Sequence, residues 1–468
     1  MGSRLCDRGR HGAFERGRTL RLLLTHGYFL DEDPKEREIM KPYAPLGILY
    51  LSSHLRATGF DVEIYDSTFG SKAELFRVLE GGPPGLLGVY GTLMTRRNVV
   101  EIARAGREAG WHVVLGGPEP ANYAEQYLAA GASVIVAGEA EIALEELLRS
   151  GMNRGALGGI NGIIFQGDDG RIVRTPPAKL IEDLNAQPWP DRECIDLDRY
   201  LSVWRERHGK GSVSLITARG CPYHCNWCSH SVYGKTHRRR SPGAVVAELE
   251  WILGRYNPEM LWLADDVFTI HHGWLYDYAA ELARRGIKIP FECITRADRI
   301  NERVAETLAA LGCFRVWIGS ESGSQRILDA MERGVTVEQV GRAVALCKAN
   351  GIQTGMFLMW GYEGEDISDV EATVEHVKHC RPDVFLTTVS YPIKGTTYYD
   401  RVAPRLAPVT GWAETSDRDL RVLGRHSRRF YQHADELLRS EMAEHPDTAR
   451  IVAARESLRA SAGEVEAS

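Results

Sequence analysis

Two series of short apolar runs, each run followed by an amphipathic segment of ten or more residues, constrain this chain more than any other feature. The first series comprises "LRLLLTHGYF", "DVEIYD", "LLGVYG", "WHVVLGG" and "SVIVAG", separated by helical patterns such as "PLGILYLSSHLRATG" and "RNVVEIARAGREAG". Strands of four to seven residues alternating with helices bury both faces of a parallel sheet. Residues 19–150 are therefore expected to form a doubly wound, Rossmann-like α/β domain. Such a sheet takes ligands at the carboxyl ends of its strands, where Gly91, Gly116, Gly117 and Gly138 fall. Glycines in those places are also ordinary turn formers.

The second series starts at Ser212 and runs through "SVSLITARG", "MLWLADD", "IPFECITR", "FRVWIGSES", "IQTGMFLMWG" and "VFLTTVSYP". The helix pattern "SPGAVVAELEWILGRY" has Ser241 as N-cap, Pro242 in its first turn, and Val245, Leu249 and Ile252 on one face. Repeated strand–helix units predict a partial (β/α)6 barrel of the TIM type over residues 205–400, with its working face at the strand carboxyl ends. Between the two series, residues 151–204 lose the rhythm. "NGIIFQGDDGRIVR" reads as a hairpin turning at 168–170, "QPWPDRECIDLDRY" as a proline-bearing connector, and the whole stretch as a linker. Residues 401–468 are charged and helical in pattern. Residues 1–18 are arginine-rich without an apolar core and read as a solvated tail, not a secretory signal; Asp7 and Glu15 argue against an organelle transit peptide.

A composition of 44% hydrophobic and 26% charged residues is that of a globular protein. The net charge of −6 disfavours nucleic acid or an anionic membrane as the main partner, and no apolar run approaches the ~18 residues of a transmembrane helix. The nine cysteines are an odd number, thinly spread except for one cluster, which suits a reducing cytoplasm better than a disulfide framework.

That cluster, "GCPYHCNWCSH" at 220–230, places Cys221, Cys225 and Cys228 in a C-x3-C-x2-C pattern directly after the first strand of the second series. Thiolates ligate zinc or iron–sulfur clusters. A structural zinc site wants four ligands, commonly two separated pairs, and no second pair exists here. His224 or His230 would have to complete a tetrahedron from within the same tight loop. Three cysteines suit a four-iron cluster that keeps one iron open, although zinc or unrelated thiols remain alternatives on spacing alone.

The loop and its position resemble the radical S-adenosylmethionine (SAM) superfamily. The resemblance implies that Cys221, Cys225 and Cys228 hold a [4Fe–4S] cluster whose fourth iron is chelated by SAM, with Trp227 on the adenine side. Later segments match in order across about 205–400. "LADDVF" offers Asp265 and Asp266 to the SAM ammonium group or to substrate, or else as helix caps. "ITRADR" offers Arg296 to the SAM carboxylate, or else to a surface ion pair. "GSESG" offers Glu321 and Ser322 to the ribose or methionine end. "MFLMWGYEGED" brings Gly361 toward adenine, departing from the family by lacking a proline at 362 or 363. "SYPIKGTTYY" resembles the sixth-strand ending, apart from Ile393–Lys394. Arg238–Arg240 either hold an anionic ligand or face solvent.

Residues 19–150 resemble the cobalamin-binding domain of the cobalamin-dependent radical SAM class through "PLGILYLSSHLRATGFDVEIYD" and "VLGGPEPANYAEQYLAAGASVIVAGEAE". The resemblance implies that Pro45, Leu46 and Gly47, together with Gly91, Gly116, Gly117, Gly138 and Glu139, line a cobalamin site. The D-x-H-x-x-G signature is absent, which leaves the lower axial position undetermined; His26 stands in that region as a ligand or as a hydrogen-bonding loop residue. The implied activity is C-methylation of an unactivated carbon of a small-molecule, lipid or tetrapyrrole metabolite, by a 5′-deoxyadenosyl radical and methylcobalamin. An electron donor such as flavodoxin or ferredoxin is implied as partner. Non-methylating cyclisation, oxidation or carbon–carbon joining with the same cofactors is the alternative. A zinc-stabilised cobalamin or nucleotide sensor without catalysis is the rival from another class; a methylthiotransferase is disfavoured, because no three-cysteine cluster precedes the barrel and the C-terminal region lacks the strand alternation of an RNA-binding barrel.

Overall fold

The computed structural model describes residues 20–466; the tail expected over residues 1–18 lies outside them. Strands β1 (Leu22–His26), β2 (Glu63–Ile64), β3 (Leu86–Tyr90), β4 (His112–Gly116) and β5 (Val134–Val136) run parallel in the spatial order β2-β1-β3-β4-β5. Successive side chains of a strand point to opposite faces. Leu22 and Leu24 accordingly pack with Leu49, Leu55 and Leu144 on one side, while Leu23 packs with Leu75, Val99 and Tyr127 on the other. The apolar runs are continuous because both faces are covered by helices.

The region expected to be a linker is largely structural. Its hairpin forms β6 (Ile163–Gln166) and β7 (Ile172–Arg174), which extend the first sheet antiparallel beyond β5. Ile163 and Phe165 enter one core and Ile164 the other, so three consecutive apolar residues fill both faces of the sheet beside its β7 edge. The connector ends in a helix, Leu197–His208, capped by Asp196, and its Leu197, Tyr200 and Leu201 belong to the core of the second half.

That half is built on β8 (Ser212–Leu215), a short antiparallel ribbon of β9 (Ala218–Arg219) with β10 (Arg238–Arg239), and then β11 (Met260–Leu263), β12 (Phe291–Thr295), β13 (Cys313–Glu321), β14 (Gln353–Trp360) and β15 (Val384–Val389). The order β8-β11-β12-β13-β14-β15 is parallel throughout, with β8 and β15 as the two edges of a partial barrel. The helix Pro242–Tyr256 forms as its sequence predicts. Ser241 Oγ accepts from the Ala244 N–H at 3.3 Å, and Val245, Leu249 and Ile252 are fully buried. Each such side chain contributes ~2 kcal/mol of apolar burial.

The C-terminal region carries helices Arg428–Glu441 and Thr448–Ser461. It is tied back to the first sheet by Asp417, a buried acceptor for Arg96 at 2.6 Å and for the Tyr123 hydroxyl at 2.5 Å. Among the described residues no helix is long and apolar enough to cross a membrane.

Candidate active site

The ribbon of β9 and β10 pinches the ends of the cysteine loop together. Gly220 at its base has φ +84, and a Cβ there would lie 2.4 Å from the Thr236 carbonyl oxygen, so no other residue fits. Beyond it, Cys221, Cys225 and Cys228 open on one cavity of about 400 Å³ over the carboxyl ends of the barrel strands. Burial, with the neighbouring thiols, raises Cys221 and pushes Cys228 up to about 12. The guanidinium groups of Arg296 and Arg333 reach Cys225 Sγ at 3.8 and 3.6 Å.

Among the described residues no group of three or more His, Cys, Asp or Glu is arranged for a single metal ion. A mononuclear site draws its sulfurs to ~2.3 Å from one centre, whereas a polynuclear cluster takes each thiolate at a separate metal. Three thiols around one roomy cavity, with cations beside them to balance an anionic cluster, fit an iron–sulfur cluster and not a closed zinc tetrahedron. His230 lines the cavity, but its Nδ1 lies 3.1 Å from the Cys228 carbonyl, a contact within its own loop.

The downstream residues divide. Trp227, Asp266, Arg296 and Glu321 all border the cavity. Asp266 is raised by burial and by Asp265 beside it. Arg296 is 2% exposed, stacks 3.7 Å over Tyr223, and donates to Asp298 at 2.9 Å and to the Arg333 carbonyl at 2.9 Å; it is not a surface residue. Glu321 sits at a register shift in β13 with φ +61, a left-handed conformation that costs a non-glycine residue ~1 kcal/mol or more. Burial raises its carboxyl, and Arg333 at 3.8 Å opposes the rise.

Asp265, Ser322 and Gly361 depart from expectation. Asp265 accepts from the Thr217 and Ala218 backbone N–H groups at 2.7 and 3.1 Å and pairs with Arg239 at 2.9 Å, which leaves it behind the cavity wall. Ser322 bonds Thr373 and caps its own turn through the Ser324 N–H. Gly361 faces the Tyr431 ring, which a Cβ would meet at 2.8 Å. Each is occupied by local packing that spacing in the sequence does not reveal. Arg238, Arg239 and Arg240 are neither solvent-facing nor free for an anion: they pair with Glu139, Asp265 and Glu248.

Opposite the cysteine loop lie the ends of the first sheet. Gly47, Gly116, Gly117, Gly138 and Glu139 border a largely apolar cavity closed by Arg219, Val232 and Tyr233 of the barrel half. Pro45, Leu46 and Gly47 border a neighbouring one of about 360 Å³. A Cβ at Gly116 would meet nothing within 4 Å, and one at Gly138 only the Val232 carbonyl at 3.6 Å. The glycine cavity alone measures about 80 Å³; taken with the 45–47 and cysteine cavities that meet it at Tyr90, these open cradles with apolar walls suit a large corrin ring. Gly117 has φ +103 and the Gly91 carbonyl 2.4 Å from its missing Cβ. Gly91 itself packs on Val99 and Pro120 and is a structural glycine. Glu139 has both oxygens engaged, by Arg219 at 2.8 Å and Arg238 at 2.7 Å, so it clamps the two halves together. Both nitrogens of His26 are taken, by Asp66 at 3.0 Å and the Tyr28 N–H at 3.2 Å, as befits a loop histidine.

Two residues at the site escaped the sequence reading. Arg333 bridges Cys225, Glu321 and the Gly319 carbonyl, which donates nothing and accepts at 3.0 Å. It lies in a turn far from the cysteines in sequence, and no local pattern marks it. Tyr90 borders the cysteine cavity, the glycine cavity and the 45–47 cavity together. A large aromatic closing the apolar run "LLGVY" just before Gly91 was the available signal, and the structure leaves it 37% exposed.

Residues 215–377 match the radical SAM superfamily, and residues 38–148 match the B12 binding domain. An uncharacterised methyltransferase of Pyrococcus horikoshii is 28% identical over 80% of this chain and 82% of its own length. The anaerobic magnesium-protoporphyrin IX monomethyl ester cyclase of Rubrivivax gelatinosus is 27% identical over 74% of this chain and 64% of its own length. Among solved structures, the radical SAM methyltransferase TsrM of Kitasatospora setae, with cobalamin and a [4Fe–4S] cluster bound, superposes with a TM-score of 0.68 at 21% identity, covering 85% of this chain and 81% of that one; this likeness establishes the shared fold.

Proposed function

This chain belongs to the cobalamin-dependent radical SAM enzymes, and from that premise we propose that it transfers a methyl group to a carbon of a small-molecule substrate. The observation that carries the reading is Tyr90, which borders both the thiol cavity and the glycine cavity. A methyl carrier on one side of that side chain and a radical source on the other would share one reaction space. When bound, the cluster and SAM supply a carbon-centred radical after one-electron reduction, and cobalamin supplies the methyl group.

The chain's own residues do the rest. Cys221, Cys225 and Cys228 would hold the cluster. Arg296 and Arg333 keep positive charge beside Cys225, and Arg296 would also meet the SAM carboxylate. Asp266 and Glu321 would receive the ammonium and ribose ends, with Trp227 against adenine. The 220–234 loop forms one wall of the space, where keeping water away would protect a reactive carbon radical. The one-electron donor is a small redox protein of the flavodoxin or ferredoxin type, and the setting is a reducing cytoplasm.

Anaerobic incubation with methyl-labelled SAM, reductant and a metabolite extract tests this reading: the label is expected on a product carbon. The cyclase relative supports ring closure as a second reading. That outcome would appear as 5′-deoxyadenosine formed while every label stays in methionine, and it would overturn methyl transfer.

A further inference from the structure

A separate cavity of about 530 Å³ lies at the open edge of the barrel, between the end of β15 and the start of the helix Arg428–Glu441. It shares no lining residue with the cysteine or glycine cavities. Three guanidinium groups face it, from Arg418, Arg425 and Arg428, along with the carboxylates of Asp419 and Asp435.

The negative charges are already committed. Asp435 accepts from Thr387 at 2.6 Å and from Arg439 at 2.7 Å, and Asp419 accepts from the Ser416 N–H and hydroxyl at 2.8 and 3.0 Å. The arginines are not. Arg428 has no acceptor among the described residues, and Arg418 makes only a 3.5 Å contact with Met94 Sδ and lies near the Tyr391 ring. Arg425 spends Nη1 on the carbonyls of Gly361 and Ser390, at 3.2 and 2.6 Å, while its Nε–H has no partner. Behind them, the Trp360 Nε1–H and the hydroxyls of Ser390 and Tyr431 are buried without partners as well. A wall with spare cations and spare donors calls for a ligand that brings acceptors and negative charge.

The position connects this cavity to the chemistry. Phe385 and Val389 pack into the helix-covered core. Strand alternation therefore puts Leu386 and Thr388 on the inner face, in the row where Phe357 pairs with Leu386. Phe357 borders the cysteine cavity; the arginine cavity wraps the open edge of β15, taking Thr388 from the inner face and Thr387 and Val389 from the outer one. One strand across and two residues along separates them by about 8 Å. The surface between is apolar, with Trp317 stacked on Phe357 at 5.1 Å and Leu386 50% exposed.

We propose that the arginine cavity anchors the oxyanion group of the substrate, a carboxylate or a phosphate, while the apolar body of that substrate lies along Phe357 and Leu386 toward the cysteine loop. The assignment of the ligand as substrate rests on the enzymatic reading above; the anion site does not.

The test is binding of two probes, inorganic phosphate and succinate, to the full-length protein by calorimetry at constant ionic strength. Wild type is expected to bind one of them saturably, and which one identifies the group. Arg428→Gln is expected to weaken that binding about tenfold, and Arg418→Gln with Arg428→Gln further still. Tyr431→Phe keeps the ring and removes only the unpartnered hydroxyl, and it is expected to weaken binding severalfold. Iron and cobalamin contents serve as the check that each variant is folded. Absence of saturable binding of either probe to wild type, or equal binding by wild type and the arginine variants, overturns the proposal. Loss of methyl transfer with anion binding intact would instead count against the enzymatic reading alone.

Discussion

At the ends of β4 and β5 the chain presents Gly116, Gly117 and Gly138; at the ends of β12 and β13, and in the cysteine loop before them, it presents Arg296, Glu321 and three thiols. Both sets lie where a parallel sheet places ligands, yet one half makes room by omitting side chains and the other by burying charge. A bulky, mostly apolar cofactor needs space and close backbone approach. A charged cluster with a zwitterionic co-substrate needs counter-charges fixed before it arrives, because reorienting them in a dry cavity is costly. Arg296 and Arg333 beside Cys225 are such fixed charges.

The contrast can be broken by variants that act on one half only. The largest effect is expected from Cys221→Ala, Cys225→Ala or Cys228→Ala, each of which should drop iron from about four per chain to near zero while cobalamin binding stays. Gly116→Leu comes next. Open space receives its side chain, so the fold should hold, but cobalamin affinity should fall more than about tenfold with iron unchanged. Arg333→Gln leaves Glu321 buried without its nearest cation; denaturant unfolding should register a loss of ~3 kcal/mol, together with slower SAM cleavage.

The smallest effect is a pH dependence. Burial raises the Glu365 carboxyl to about 8, against 4.5 for the free group, with Asp369 and Asp366 adding to the rise and Arg425 and the Gly361 N–H opposing it. A raised acid favours the folded state in its protonated form, so stability falls as pH rises from 4.5 toward 8 and is level above that. Glu365→Gln should match wild type in melting temperature near pH 5 and exceed it near pH 8.5, by about 2 kcal/mol in stability.

Much of this design is legible along the chain. Continuous apolar runs announce sheets covered on both faces, and the three-cysteine spacing announces an open cluster site. The hairpin at 163–174 was recognisable as a hairpin, but nothing local told that Ile163, Ile164 and Phe165 would fill both faces of the first sheet beside its β7 edge. The same limit separates Asp266 from Asp265. The two are neighbours in one motif, yet the loop after β11 turns one into the cavity and the other back onto Thr217 and Arg239. Arg333 is invisible for the converse reason, since its partners Cys225 and Glu321 come together only in the fold. Sequence pattern carries the period of an element; it does not carry which polar groups neutralise one another across elements.

Iron and cobalt analysis of anaerobically reconstituted wild type, Cys228→Ala and Gly116→Leu tests the two-sided site most directly. Wild type should hold about four irons and one cobalt per chain, the cysteine variant cobalt without iron, and the glycine variant iron without cobalt. Zinc in place of iron in the wild type, or a single variant that loses both metals while remaining folded, would contradict the division of labour between the two halves.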